Sequence, residues 1–477
     1  MSLSNSYQKL PKSFYEFQKP TPVKDPVLVC FNHQLNRELG LDISESEKIL
    51  AQVLSGNELM EGSQPISQAY AGHQFGHFTM LGDGRATLLG EHLSSKKELF
   101  DIQLKGSGET PFSRRGDGKA TLYSMLREYL ISEAMHHLGI PTTRSLAVVA
   151  TGEKIYRQGF QDSAVLTRIA KSHIRVGTFE YARNFCSIGD LKSLLDYTIS
   201  RHYPQIKNDD NPALAFLNEV MSKQIDLVIN WIRVGFIHGV MNTDNMSIPG
   251  ETIDYGPCAF LNTYDPLTVF SSIDEQGRYA FGNQSKMTHW NLIALANAIL
   301  PLVSEDQEEA IKLAQSTLEK FSGIFKERWY KMMFSKLGIS QFKEDDKKVV
   351  DDILSLMKRH KADYTQTFVA LMENKESISD WFENDEFKAW KKDWQSIANL
   401  PENKENSNQL MRSSNPLIIP RNHWVENVLQ AAVAGDINPF NDLLDLLKHP
   451  YNDIPDEFKY QNVPLDFDNQ YQTFCGT

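Results

Sequence analysis

Asp244, Asn245 and Asp254 are the residues of this chain best suited to polyphosphate chemistry. They sit in two blocks, Phe236-Ile-His-Gly-Val-Met-Asn-Thr-Asp-Asn-Met246 and Ile253-Asp-Tyr-Gly-Pro257. The amide oxygen of Asn245 and the carboxylate of Asp254 are hard donors of the kind that hold Mg²⁺ or Mn²⁺ while the ion keeps several waters and bridges phosphate oxygens. Asp244 beside them can take a proton from an attacking hydroxyl. Its plainer reading is a turn or cap residue.

Upstream, glycines and basic residues recur. Gly82, Gly84 and Arg85 lie in Leu81-Gly-Asp-Gly-Arg85, whose plainer reading is a tight hairpin turn. The loop Gly106-Ser-Gly-Glu-Thr-Pro-Phe-Ser-Arg-Arg-Gly-Asp-Gly-Lys119 is longer than a hairpin needs. It fails as a Walker A motif, because Ser113 stands where the first Gly belongs and Ala120 where a hydroxyl belongs. An anion nest of backbone N–H groups, with Asp117 and Gly118 near a nucleotide, is the functional reading, and a surface loop the other. Arg168 and Arg175 offer fork-shaped donors for phosphate, with surface salt bridges as their rival reading. His73 and His77 are four apart but lack the Glu of a zinc-binding His-Glu-x-x-His.

Order along the chain ties these pieces together. A Gly-rich turn, a strand ending in Lys105 and a helix bearing Glu128 are spaced like the small lobe of a protein kinase, where the strand Lys pairs with the helix Glu. His238 and Asn245 then fit the kinase pattern His-x-Asp-x-x-x-x-Asn, but Val240 occupies the catalytic Asp position. The usual base for γ-phosphate transfer is missing. Asp244 replaces it only if the reacting phosphorus lies elsewhere along the triphosphate.

The elements that must position these residues are legible as periodicities. Residues 78–90 read as two strands joined at a turn, and 99–105 as a third, suggesting an antiparallel sheet. Apolar residues at helical spacing predict a helix over 121–138, stopped by Gly139-Ile-Pro141. Strands are expected over 144–155 and 164–169. Helices follow over 191–202 and 213–234, then 290–337, 349–372 and 424–447. The charged stretch 373–414 reads as a surface excursion. The expected class is α+β, with a β-rich nucleotide-binding region over 1–180, a helical part carrying the metal-binding Asp over 181–400, and a C-terminal extension over 401–477.

Composition narrows the function classes. The 477 residues are 41% apolar with a net charge of −12, which argues against nucleic-acid or anionic-membrane partners. Residues 70–185 nonetheless carry more Lys and Arg than Asp and Glu, so an anionic ligand belongs there. Four scattered cysteines without a CxxC pair fit a reducing compartment. No targeting segment or membrane span is legible, so a cytoplasmic monomer is expected.

Together, Ala71-Gly-His-Gln-Phe-Gly-His77, Leu81-Gly-Asp-Gly-Arg85, Gln103-Leu-Lys-Gly-Ser-Gly108, Arg114-Arg-Gly-Asp-Gly-Lys119, Met241-Asn-Thr-Asp-Asn-Met246 and Asp254-Tyr-Gly-Pro257 closely resemble the selenoprotein O family, also called YdiU. The segment from Asn415-Pro to Ile-Pro-Arg-Asn-His423 and the near-terminal Cys475 extend the likeness. That resemblance implies a bilobal pseudokinase fold that binds ATP flipped relative to kinases and transfers AMP to hydroxyl side chains of proteins. It implies Asp244 as proton acceptor, Asn245 and Asp254 as metal ligands, and Glu128 as the partner of Lys105. Gly82, Gly84, Arg85, Lys105, Asp117, Gly118, Arg168, Arg175 and Asp254 are then the ATP contacts. The family pattern also suggests a Cys258–Cys475 disulfide. UMP transfer from UTP, a non-catalytic nucleotide-binding module and a small-molecule kinase remain alternatives.

Overall fold

The computed structural model describes residues 2–41, 43, 46–375, 379–452, 460, 462–464 and 467–474. It is α+β. Short strands β1 (Tyr15–Phe17), β2 (Val27–Phe31) and β3 (Ile66–Gln68) precede β4 (Ala71–Gln74) and β5 (His77–Met80). Longer β6 (Ala86–Leu93) and β7 (Leu99–Lys105), the two-residue β8 (Ala120–Thr121), and β9 (Arg144–Tyr156) and β10 (Phe160–Ala170) complete the β-rich part. The main sheet runs β1-β3-β6-β7-β10-β9-β2, with β8 also paired to β10 and every pairing antiparallel.

Strand parity decides what each face of this sheet carries. Lys105 and Gln103 are two apart on β7, and Gln103 sits opposite Arg168 of β10, so all three point to one face. Ile102 and Leu104 point to the other, where they pack with Leu35 and Leu39 of α1 (His33–Leu39) and Leu50 and Leu54 of α2 (Glu47–Ser55). The Lys105 face is covered by α3 (Leu122–His137), whose Leu126 and Leu130 pack with Val148 and Leu166. Thr121 caps α3 by accepting from the Ser124 N–H, and the helix stops at the Gly139 foreseen from the sequence.

The hairpin expected over 78–90 is not formed. β5 pairs instead with β4, through a Phe75-Gly76 turn in which both residues are left-handed, at φ 51° and 88°. That is the geometry a two-residue hairpin with primed twist requires. β6 joins the main sheet between β3 and β7. The Gly82–Arg85 segment therefore crosses between two sheets, held by Leu81 N–H to Tyr70 O and Asp83 N–H to Gln68 O. The Phe112 ring packs so closely on Gly82 that a Cβ there would lie 2.4 Å from it.

Beyond β10 the chain is helical. α4 (Val176–Phe185), α5 (Ile188–His202) and α6 (Pro212–Val234) lead into a short ribbon of β11 (Phe236–Ile237) and β12 (Ala259–Phe260), which brackets the two chemistry-bearing blocks. The long helical run expected at 290–337 is broken into α7 (Gln284–Val303), α8 (Gln307–Leu318) and α9 (Phe321–Lys336). Asp306 starts α8 by accepting from the Glu308 and Glu309 N–H groups. α10 (Lys347–Arg359) and α11 (Tyr364–Glu373) follow.

The stretch read as a surface excursion folds into α12 (Asp385–Ala398), α13 (Pro401–Lys404) and α14 (Ser407–Ser414). Phe387, Trp390, Trp394 and Ile397 form a buried stripe at helical spacing, concealed in the sequence by the charged residues of the opposite face. The Trp394 indole N–H donates to Leu337 O at 2.8 Å and its ring stacks on Trp390.

α15 (Asn422–Val433) and α16 (Asn438–Leu447) then return to pack on α3. The Asn415-to-His423 segment is a clamp. The Asn415 amide donates to Lys336 O, Arg421 bonds Asn262 and Asp363, and the Asn422 side chain both donates to and accepts from the Phe260 backbone. No helix among the described residues is long and apolar enough to cross a membrane.

Trp394→Ala should lower unfolding stability by about 3–5 kcal/mol, the usual range for truncating a buried aromatic. Urea denaturation checks this, and a solvated loop residue would give a change near zero.

Candidate active site

Lys105, at the end of β7, bonds Glu128 Oε2 of α3 at 2.6 Å and Asp254 Oδ1 at 2.5 Å. Arg168 completes the square, with 2.7 Å contacts to Glu128 Oε1 and Asp254 Oδ1. All four side chains are largely withdrawn from water, Arg168 to 2% exposure. Burial alone would push the Asp254 carboxyl up, but Lys105, Arg168 and Arg175 overcome that and hold it well below the usual carboxylate range. Glu128 is likewise lowered, because Arg168 and Lys105 outweigh its burial. Burial, with Arg168 beside it, pushes the Lys105 ammonium down.

Asp254 itself is in the left-handed region, at φ 64°. Its segment is tied to the preceding block by the buried His238 ring, whose Nε2 lies 2.9 Å from Ile253 O. Asn245 donates from Nδ2 to the carbonyl of Val240, the buried residue at the vacant kinase-base position. No hydrogen bond to Asn245 Oδ1 or Asp254 Oδ2 is found among the described residues. Both are hard oxygen donors of the type a hydrated Mg²⁺ or Mn²⁺ accepts.

Asp244 lies in a one-turn 3-10 segment, Thr243–Asn245, directly beneath β4. The contact is possible only because residue 72 is glycine, since a Cβ there would lie 2.5 Å from Asp244 Oδ1. Gly177 of α4 does the same from the other side, where a Cβ would meet Ala71 O at 2.0 Å. The His73 N–H donates to Thr243 Oγ1 at 2.7 Å and the Phe75 N–H to Asn242 Oδ1 at 3.1 Å, so the hairpin is bonded to this turn. His73 Nδ1 also meets Glu180 Oε1 of α4 at 2.5 Å. Asp244 Oδ1 is buried without a hydrogen-bond partner, and burial, opposed by Arg175, pushes this carboxyl up to about 6.

Arg175, preceding α4, stacks over the Tyr70 ring at 4.2 Å and lies 4.0 Å from Asp83 Oδ1. Its Nε is buried and unpartnered. Asp83 accepts from Gln68 N–H and Gln103 Nε2, and burial raises it to about 6. Thus one neighbourhood holds Asp254 strongly ionised while burial raises two other acids to about 6.

The other candidates are placed as follows. Arg85 is close enough to Lys105 to depress its ammonium pKa, and Gly82 and Gly84 pack on Phe112. Asp117 is exposed and pairs with Arg157 at 2.7 and 2.9 Å, while Gly118 packs on Gly108 O. Neither has a contact with the Lys105–Asp254 cluster among the described residues. Cys258 is buried, its thiol pushed up to about 11 by desolvation, and Thr473 Oγ1 donates to the neighbouring Pro257 O. Cys475 lies outside the described residues.

Sequence reasoning missed Asp83, Tyr70, Gly72, Gly177 and the His73–Glu180 pair. Asp83 stands within the Gly-Asp-Gly-Arg motif, where Asp-Gly is equally a turn signal. Nothing in the chain's local pattern signals Tyr70 or Gly177.

A sequence model of the family described as protein adenylyltransferase SelO matches residues 1–448. A protein nucleotidyltransferase YdiU of Brevibacillus brevis is 52% identical over 480 positions, covering 100% of this chain and 98% of the relative. One of Bacillus cytotoxicus is 53% identical, and one of Bacillus cereus likewise, each with 100% and 98% coverage.

Asp83 binds its proton more tightly folded than unfolded, so its contribution favours folding below pH 3.8 and is lost as pH rises to about 6. Asp83→Asn should therefore shrink the loss of stability between pH 4 and pH 7 by about 2–3 kcal/mol, at roughly 1.4 kcal/mol per unit. Denaturant melts at the two pH values measure it.

Proposed function

Because the chain belongs to the protein adenylyltransferase SelO family and is thus a protein nucleotidyltransferase, we propose that it transfers AMP from ATP to Ser, Thr or Tyr hydroxyls of other proteins. One observation carries this reading: a buried Asp244 with an unpartnered Oδ1 stands near Asp254, while the position of a kinase base holds Val240. We read the chain as a bilobal kinase-like fold, with 1–180 as the nucleotide lobe, 181–400 as the helical lobe and 401–477 as an extension on it. ATP is flipped relative to kinases, which puts the α-phosphorus rather than the γ-phosphorus at Asp244.

Asp244 accepts the hydroxyl proton as the acceptor oxygen bonds the α-phosphorus and the bond to the pyrophosphate leaving group breaks. An ion on Asn245 and Asp254, Mg²⁺ or Mn²⁺, neutralises phosphate charge when bound. Lys105 and Arg168 hold Asp254 ionised for that role, and Glu128 holds the two cations. Arg175, with donors to spare, faces the same space as Asp244 and Asp254 and is placed to bind phosphate oxygens. Gly82, Gly84 and Arg85 border it, and the basic loop with Asp117 and Gly118 receives the far end of the nucleotide. The name nucleotidyltransferase borne by the relatives leaves the base open, so UMP transfer from UTP is the second reading.

With metal and a mixed protein substrate, label from α-labelled ATP should enter protein, label from γ-labelled ATP should not, and Asp254→Ala should abolish incorporation. Label from the γ-position alone would replace this reading with a kinase, and competition by UTP in preference to ATP would replace AMP by UMP.

The rate should rise with pH as Asp244 ionises, since the carboxylate must be free to accept the proton; burial raises this carboxyl, and a cation on Asn245 and Asp254 would draw it back down. Asp244→Asn should remove that limb and lower kcat by about 10²- to 10⁴-fold, the usual weight of a general base. Full activity in Asp244→Asn would count against the assignment.

A further inference from the structure

A cleft of about 820 Å³ opens between the tip of the β4–β5 hairpin and α7. Phe75 and His77 form one wall, and Arg278, Lys286, Trp290 and Ile293 the other. Its Phe75 wall is bonded to the turn that carries Asp244. The Phe75 N–H and the Tyr279 hydroxyl both donate to Asn242 Oδ1, at 3.1 and 2.5 Å, and Asn291 of α7 donates to Met241 O at 3.0 Å. Asp244 lies two residues beyond Asn242.

Arg278 is the polar centre of this cleft. Its guanidinium carbon lies 4.9 Å from the Trp290 ring centroid and 5.8 Å from that of Tyr279, a stacking that fixes the plane of the fork. The hairpin tip overhangs it, so that a Cβ on Gly76 would lie 3.9 and 4.0 Å from its terminal nitrogens. Its Nε is buried with no acceptor. The nearest acid, Asp274, spends both oxygens on the Arg278 and Tyr279 N–H groups. Glu275 stands exposed in the lining, and no ion pair of Arg278 or Lys286 is found among the described residues. In a chain of net charge −12, this cleft offers two cations, a stacked indole and the half-exposed Ile293 beside the reacting turn.

An extended polypeptide with a carboxylate side chain fits that chemistry, because a preorganised guanidinium binds a carboxylate through two parallel hydrogen bonds. We propose that the cleft seats the acceptor protein and that Arg278 selects hydroxyls flanked by Asp or Glu. This rests on the transfer of nucleotide to protein hydroxyls stated above, and adds what that acceptor must look like.

Three synthetic peptides sharing one serine, and differing only in Glu, Gln or Lys at the flanking positions, test it with the full-length protein, metal and α-labelled ATP. The wild-type protein should use the Glu peptide roughly 10- to 100-fold better than the Lys peptide in kcat/KM, the span of a charge-assisted hydrogen bond, mainly through peptide KM. Arg278→Glu should invert the order, and the milder Arg278→Gln should bring the three peptides level. Indifference of the wild type to the flanks, or a Glu preference that survives both variants, overturns the proposal. Labelled proteins in a mixed extract alongside unlabelled or indifferently used peptides overturn it alone. No label in peptides or extract overturns the transfer reading and this proposal with it.

Discussion

Two cations and two anions withdrawn from water at one point, Lys105 and Arg168 against Glu128 and Asp254, set the conditions that the surrounding structure meets. Desolvating such ions costs several kcal/mol each, and only close, complete pairing offsets it. The square therefore binds β7, β10, α3 and the Asp254 segment into one unit, since moving any of them strands a buried charge. Both cations bond the same Asp254 oxygen, Oδ1. A few residues away the balance reverses. Arg175 is shared between Asp83 and Asp244, so burial wins and both acids sit high.

Close backbone approach is the second requirement. β4 lies on the Asp244 turn because Gly72 and Gly177 present no side chain between α4, the hairpin and the turn. The hairpin thereby becomes part of the site rather than a surface ornament, with its His73 and Phe75 N–H groups spent on Thr243 and Asn242. The clamp from Arg421 and Asn422 acts from the opposite direction, holding the β12 end of the same block.

Local patterns carried some of this and not the rest. The α3 helix was legible because apolar residues recur near helical spacing from Leu122 to Leu138 and Gly139-Ile-Pro141 stops them, and the Lys105–Glu128 pairing followed from the likeness to a kinase small lobe. Arg168 read as a phosphate fork; its buried bonds depend on the β7–β10 register, which joins residues over sixty positions apart and has no local trace. The 78–90 hairpin failed because Asp83-Gly84 looks like the favoured turn, whereas the real one uses Phe75, a bulky residue seldom left-handed. The buried stripe of α12 was lost in the mean polarity of its segment. Asp117 and Gly118 came from the loop's glycine-rich, basic character and from the family resemblance; the Asp117–Arg157 pair joins that loop to a residue forty positions on, which no local pattern records.

The contacts of α15 also bear on the order in which the molecule is made. The Arg127 guanidinium on α3 bonds Gly256 O and Cys258 O beside Asp254, and also Glu426, a residue 299 positions later in the chain. At about 5–20 residues per second on the ribosome, Arg127 waits roughly 15–60 s for that partner. The sheet and α3 can be assembled meanwhile, but the segment carrying Asp254 acquires its last support only when α15 emerges. The nascent chain thus has a long interval in which the main sheet and α3 can be assembled while the Asp254 segment still lacks its contacts from α15.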